Sequence, residues 1–184
     1  MSDGAGYHRG GSKQDYITPW EFIDAVEKRF GKIGFDLAAD EFNHRVRGYD
    51  EKTLGPPPWF DVRNNSLKQD WSKLPQAKEE MLLWLNPPFD DIAPWAAKCQ
   101  EESGKGARIA FLVPASVGSN WFADHIYGFS TVCPLRPRIV FEGHISGYPK
   151  DLMLCLYDDN RGTFGPTDGF EPWKWRETTR GKKP

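Results

Sequence analysis

The sequence predicts an α/β domain built on a mostly parallel sheet, with helices on both faces and an antiparallel hairpin near its C-terminal end. Three observations predict it. Short, largely apolar runs at 33–38, 81–85, 108–113 and 152–157 read as strands buried on both sides. Stretches of helical spacing alternate with these runs, the pattern of strand–helix–strand units. Prolines 87, 88 and 114 close two of the runs, because proline donates no backbone hydrogen bond and fixes φ.

Taken in order, residues 1–15 carry four glycines and little that is apolar, and are expected to be a flexible tail. Thr18-Pro19-Trp20-Glu21 has the form of a capping box, with Thr18 at the N-cap, proline first in the helix and glutamate at its third position. Phe22, Ile23, Val26 and Phe30 then follow helical spacing up to Gly31, a natural stop. A first strand covers 33–38. From Asp40 to Gln69 the pattern breaks into Gly55-Pro56-Pro57-Pro58 and scattered Asn, Asp and Arg residues. This reads as a long functional loop holding one short helix or strand. The strand at 81–85 leads to a helix over 92–103, a strand at 108–113, a helix over 119–127, and strands at 130–133, 139–141 and 152–157. The expected division is a tail at 1–15, one domain at 16–160, and an irregular, basic, tryptophan-bearing extension at 161–184.

Composition narrows the classes. At 184 residues the chain can bury a full core without staples. A formal charge of -2 gives no whole-protein attraction to nucleic acid, so any such site must be a local patch. Eight tryptophans and twelve phenylalanines supply either core or stacking surfaces. Three cysteines without a Cys-x-x-Cys argue against disulfides and for a reducing cytoplasm. The four histidines lack ligand spacing, so no metal site is expected. No run reaches the ~18 apolar residues of a membrane span, and no apolar signal core is expected at the start.

The chemistry concentrates in Asn86-Pro87-Pro88-Phe89, directly after the 81–85 strand. Two prolines make the loop stiff, and it lies at a strand's carboxyl end, where open α/β sheets place ligands. An amide oxygen and a carbonyl oxygen side by side can accept both protons of an exocyclic amino group, while a ring stacks on a flat base. That set suits methylation of a nucleobase amine. The same tetrapeptide is also an ordinary turn sequence.

The chain resembles the phage-type DNA N6-adenine methyltransferases over roughly residues 16–157. The resemblance rests on Tyr16-Ile17-Thr18-Pro19, Phe35-Asp36-Leu37-Ala38-Ala39, Ser66-Leu67-Lys68-Gln69-Asp70-Trp71, Asn86-Pro87-Pro88-Phe89, and Leu112-Val113-Pro114-Ala115 followed by Trp121-Phe122. The motif order matches the gamma arrangement of amino methyltransferases. The resemblance implies a Rossmann-like fold, S-adenosylmethionine as cofactor, DNA as partner, and a phage or prophage origin in a bacterial cytoplasm. It implies that Thr18, with Pro19, contacts the cofactor's carboxylate, and that Asp36 and Ala38 approach its methionine half. The segment Ala38-Ala39-Asp40 replaces the expected Gly-x-Gly. By the same resemblance Asp70 ends a third strand and accepts the cofactor's adenine N6 protons. Trp71 either walls that adenine or is core.

Asn86 and the Pro87 carbonyl would accept the target amino protons, with Pro88 stiffening the loop and Phe89 stacking on an extruded base. Arg136 and Arg138 form the best internal basic cluster and read either as phosphate contacts or as surface arginines. Phe141 either helps hold the base or is core. Trp173-Lys174-Trp175-Arg176 mixes rings with positive charge, as a nucleic-acid grip or a disordered end does. A chain of this size leaves little room for a recognition domain, so low or short sequence specificity is expected from the 40–69 loop and the basic patches. Other acceptors (cytosine N4, an RNA adenine, a protein glutamine) and a non-catalytic binding module of the same fold are the rival readings. The oligomeric state is left open.

Overall fold

A computed structural model describes residues 16–49, 55–158 and 169–177. The expected tail at 1–15, positions 50–54 of the long loop, and the rest of the C-terminal extension lie outside the described residues.

Six strands form one mixed sheet. They are β1 (Ile33–Asp36), β2 (Leu82–Leu85), β3 (Ile109–Pro114), β4 (Thr131–Arg136), β5 (Leu152–Tyr157) and β6 (Trp173–Lys174), in the spatial order β1-β2-β3-β5-β4-β6. β1, β2 and β3 run parallel. β5 is antiparallel to both of its neighbours, β3 and β4, and β6 joins β4 in parallel. The expected parallel sheet with an antiparallel C-terminal hairpin is therefore present. The carboxyl ends of β1 to β4 share one edge, and the β4–β5 connection returns across it.

Helices cover both faces. α1 (Trp20–Phe30) buries Phe22, Ile23, Val26 and Phe30 on one face, against Leu82, Trp84, Ala110 and Leu112. α3 (Ala93–Ser103) and α4 (Asn120–His125) cover the other face, against Leu83, Leu85, Phe111 and Val113. Successive side chains in a strand point to opposite faces, so each central strand needs apolar residues throughout. That is why the runs were largely apolar. A single short turn of helix, α2 (Pro75–Lys78), leads into β2. Gly34 in β1 is required by close approach, since a Cβ there would lie 2.8 Å from Met81 Sδ.

Several sequence expectations are corrected. The residue at the start of α1 is Pro19, whose carbonyl accepts from the N–H groups of Phe22 and Ile23, and Thr18 makes no cap. β1 stops at Asp36 because the chain bends at Leu37 and Ala38. Residues 139–141 are not a strand. Ile139 and Phe141 are buried as loop residues of the β4–β5 connection, where the Ile139 carbonyl accepts from Tyr148 N–H at 2.8 Å. β4 extends to Arg136 rather than ending at Cys133, because β6 pairs with its last residues.

Trp173 and Trp175 are core. They pack on Phe22 at 5.7 and 5.1 Å between ring centroids and keep only 8% and 7% of their surface exposed. Their rings are thus unavailable to grip nucleic acid. Among the described residues no helix is long and apolar enough to cross a membrane.

Candidate active site

Asn86 is the first residue beyond β2. Strand alternation gives it the face of Trp84, the face over which the chain enters α1. There Asn86 Nδ2 donates to the Tyr16 carbonyl at 2.7 Å and to Thr18 Oγ1 at 3.1 Å. A carbonyl only accepts, so the amide atom facing Tyr16 must be the NH₂ group. Asn86 Oδ1 is then turned the other way. It is buried and has no hydrogen-bond partner. An unsatisfied buried acceptor costs about 1–3 kcal/mol. Such an atom at a strand's carboxyl end marks a place where a ligand's donor belongs.

Asn86 borders a cavity of about 570 Å³, within the ~300–1,000 Å³ of small-molecule sites. Three stretches build its walls: 16–18 before α1, 36–45 after β1, and 60–67 of the long loop, with Trp84, Pro88 and Trp95 closing it. The long loop reaches the cavity because residues 58–60 lie alongside β1. Asp36 N–H donates to the Pro58 carbonyl at 2.9 Å, and Phe60 N–H donates to the Asp36 carbonyl at 3.0 Å. Phe60 packs on Phe35 at 4.7 Å, which fixes the segment from below.

The cavity's charged lining residues are three acids, Asp36, Asp40 and Asp61, and two arginines, Arg45 and Arg63. Asp36 is 3% exposed and accepts from the N–H groups of Ala38 at 3.2 Å and Arg45 at 2.9 Å. Burial pushes its carboxyl up to about 7, against the opposing pull of those N–H groups and of the Arg45 guanidinium. Asp40 and Asp61 also line the cavity. Asp61 accepts from Arg63 Nε at 2.8 Å, and this bond holds its carboxyl below the usual range. Ser66 Oγ is buried, lines the cavity and has no partner.

Arg45 is a buried cation, with its side chain 4% exposed. Its Nε donates to the Thr18 carbonyl at 2.6 Å, and its guanidinium lies 4.8 Å from the Trp20 ring centroid. Arg45 Nη2 sits 3.2 Å from Glu142 Oε1, close enough for an ion pair but not aligned as a hydrogen bond.

On the far side of Asn86 the wall is aromatic. The Tyr16 ring lies 5.9 Å from Phe89, 5.0 Å from Phe141 and 5.0 Å from Tyr148. Phe89 is partly buried and meets Tyr148 at 5.6 Å. Pro87 is buried, and Pro88 is exposed at the cavity's lip.

The structure gathers Thr18, Asp36, Ala38, Asn86 and Pro88 around the cavity, with Phe89 beside it. It leaves other expected residues elsewhere. Pro19 starts α1. Asp70 ends no strand and does not line the cavity. It precedes a 3₁₀ turn, Trp71–Lys73, accepts from Ser72 Oγ at 2.7 Å and pairs with Lys73 at 2.6 Å, which holds its carboxyl far below the usual range. Trp71 is fully buried one layer back, where it stacks on the cavity residue Trp95 at 6.5 Å. Phe141 is only 2% exposed, so its ring is core. Arg138 pairs with Asp151 at 3.0 Å, while Arg136 is exposed at the end of β4.

Sequence reasoning missed Arg45, Asp61, Ser66 and Trp95. A signal existed for Ser66, which opens the same motif that ends in Asp70-Trp71: the chemistry sits at the other end of that stretch. Among the described residues no group of three or more His, Cys, Asp or Glu side chains converges on a metal-sized site.

Residues 9–152 match the family of DNA N-6-adenine-methyltransferases (Dam). The chain belongs to this family. A DNA N-6-adenine-methyltransferase of Escherichia phage T1 is 29% identical over 109 residues, which is 59% of this chain and 39% of the phage protein. The match thus spans about two fifths of that relative's length. No solved structure matches the fold.

Proposed function

We propose that the protein transfers a methyl group from S-adenosylmethionine to the N6 amino group of an adenine in DNA. The observation that carries the reading is the unpartnered, buried Oδ1 of Asn86, a residue that lines the cavity. Family membership supports the same chemistry. The mixed sheet, with its cavity at the carboxyl edge of the parallel half, supports a Rossmann-like methyltransferase fold.

The cavity residues fit this cofactor. Asp36, Asp40 and Asp61 suit a ligand bearing positive charge and hydroxyl groups. Phe60 and Trp95 offer apolar faces to a nucleoside base, and the free Ser66 hydroxyl can bond a base edge or a ribose. Thr18 and Ala38 also line the cavity, and Thr18 bonds Asn86. The bound cofactor supplies an electrophilic methyl on a sulfonium, so the protein needs no nucleophile of its own.

The chain's work is orientation. Asn86 Oδ1 and the Pro87 carbonyl accept the two amino protons of the target adenine. Both bonds draw the nitrogen out of conjugation with the ring and aim its lone pair at the cavity. The prolines hold that geometry before substrate arrives, which lowers the ordering cost at the reacting step. Phe89 stacks on the base, which must be extruded from a duplex or already single-stranded. The exposed Arg136 suits a phosphate contact. Arg138 already has an acidic partner, and the 58–67 part of the long loop is occupied by the cavity wall.

Nucleosides from DNA of a methylation-deficient host expressing the chain test the reading by mass spectrometry. N6-methyladenine, absent with Asn86→Ala, is the expected result. Labelled cofactor that leaves adenine N6 unmodified overturns it. Label on cytosine, RNA or protein would move the activity to another acceptor.

A further inference from the structure

The three residues before α1 tie the site together. The Tyr16 carbonyl accepts from Asn86 Nδ2, the Ile17 carbonyl accepts from Glu142 N–H at 2.9 Å, and the Thr18 carbonyl accepts from Arg45 Nε. Three consecutive carbonyls therefore hold the acceptor loop, the β4–β5 connection and the segment after β1. Thr18 does more through its side chain. It is 2% exposed and lines the cavity, and its Oγ1 receives the second N–H of the Asn86 amide.

We infer that Thr18 is a positioning residue that sets which way the Asn86 amide faces. Its lone pair fixes the amide with Oδ1 presented to the target amine. The inference rests on the proposed function and deepens it. Local spacing predicts a helix cap for Thr18, and the family resemblance implies a cofactor contact. The geometry gives it Asn86, sixty-eight residues away. With both amide protons held by Tyr16 and Thr18, the only free polar atom of Asn86 is the acceptor. Loss of the Thr18 oxygen leaves one buried N–H unpaired and lets the amide tilt.

Thr18→Val keeps the shape and removes the hydroxyl, while Thr18→Ser restores it. In Thr18→Val, kcat at saturating donor and DNA is expected to fall about tenfold, as for one lost hydrogen bond with an unpaired buried partner. The KM for DNA should stay within about twofold, because the acceptor wall is intact, and Thr18→Ser should restore kcat. A readout independent of turnover is the Asn86 side-chain NH₂ pair in ¹H–¹⁵N spectra of the protein alone. One of its protons should exchange about tenfold faster with solvent in Thr18→Val than in wild type or Thr18→Ser, since a released proton loses its protection.

Unchanged exchange overturns the inference, and so does an unchanged kcat with only weaker donor binding. Should valine prevent folding, Thr18→Ala takes its place with the same expectations. Wild-type protein that transfers no methyl to DNA would overturn the proposed function. Active wild type with an indifferent Thr18→Val overturns only the positioning role of Thr18.

Discussion

The two sides of Asn86 are built from different materials. The cavity side is mixed, with the acids Asp36, Asp40 and Asp61, the arginines Arg45 and Arg63 and the Ser66 hydroxyl set among the rings of Phe60, Trp84 and Trp95. The other side is a cluster of rings packed at 5.0 to 5.9 Å, with Phe89 and Tyr16, which also borders the cavity, backed by the buried Phe141 and Tyr148. The first suits a flexible cation with many hydrogen-bonding groups. The second suits a flat base that must be stacked. One amide stands between them, with its donor end fixed to the protein and its acceptor end free. On the proposed function, the difference teaches that the two substrates would be held by different forces, so mutations on either side should separate them.

The largest effect should come from the shared residue. Asn86→Ala is expected to lower the methylation rate by about 10²–10³-fold, the usual cost of removing one preorganised polar group at a reacting centre. Donor affinity by calorimetry should change little. A variant that keeps more than about a tenth of the rate would break the comparison at its centre.

Phe89→Ala should act on one side only. It is expected to raise the KM for DNA by about 10–100-fold, corresponding to ~1–3 kcal/mol of base stacking, and to leave donor binding unchanged. Phe89→Trp should recover most of the loss. Equal damage to both affinities would show that the two walls are not separate.

The acidic wall should respond to pH. The Asp36 carboxyl is pushed up to about 7 by burial, so it gains its charge as pH rises through that value. Affinity for a cationic donor should therefore increase by up to about tenfold between pH 6 and 8, with proton release on binding near pH 7. The stability sign runs the other way. Between its ordinary value of 3.8 and about 7 the folded protein holds a proton that the unfolded chain has lost, so this group's contribution falls as pH rises across that window. Donor titrations in buffers of different ionisation enthalpy check the first statement. Denaturant melts across pH check the second.

The smallest effect should follow Asp70→Asn. Its carboxylate serves Ser72 and Lys73 outside the cavity, so donor affinity should change by about twofold or less, near the limit for a surface pair. A tenfold loss would return Asp70 to the donor site.

The strands were legible because central strands must be apolar on both faces, and the runs at 81–85, 108–113 and 152–157 left no other use for themselves. The Asn86 loop was legible because two prolines can only end such a strand. Thr18 was misread as a cap because Thr-Pro-x-Glu satisfies the local rule, while the partner that takes its hydroxyl is sixty-eight residues away. Asp70-Trp71 stood out as polar and aromatic, yet Trp71 faces the core and Asp70 turns to Lys73. The quieter Ser66 is what reaches the cavity. Trp173 and Trp175 looked like a basic grip because nothing local reveals that β6 pairs with β4 and lays both rings on Phe22.

The amino-acid sequence by itself determined α1, the central strands and the helices between them, the stiff Asn86–Phe89 corner and the family, since each depends on local periodicity, proline chemistry or motif. Only the tertiary structure decided which way the Asn86 amide faces, which acids line the cavity, and which aromatic rings remain at the site rather than in the core. Those outcomes depend on hydrogen bonds and ring contacts between residues far apart in the chain, and no local pattern encodes which of several suitable partners will be close enough to bond.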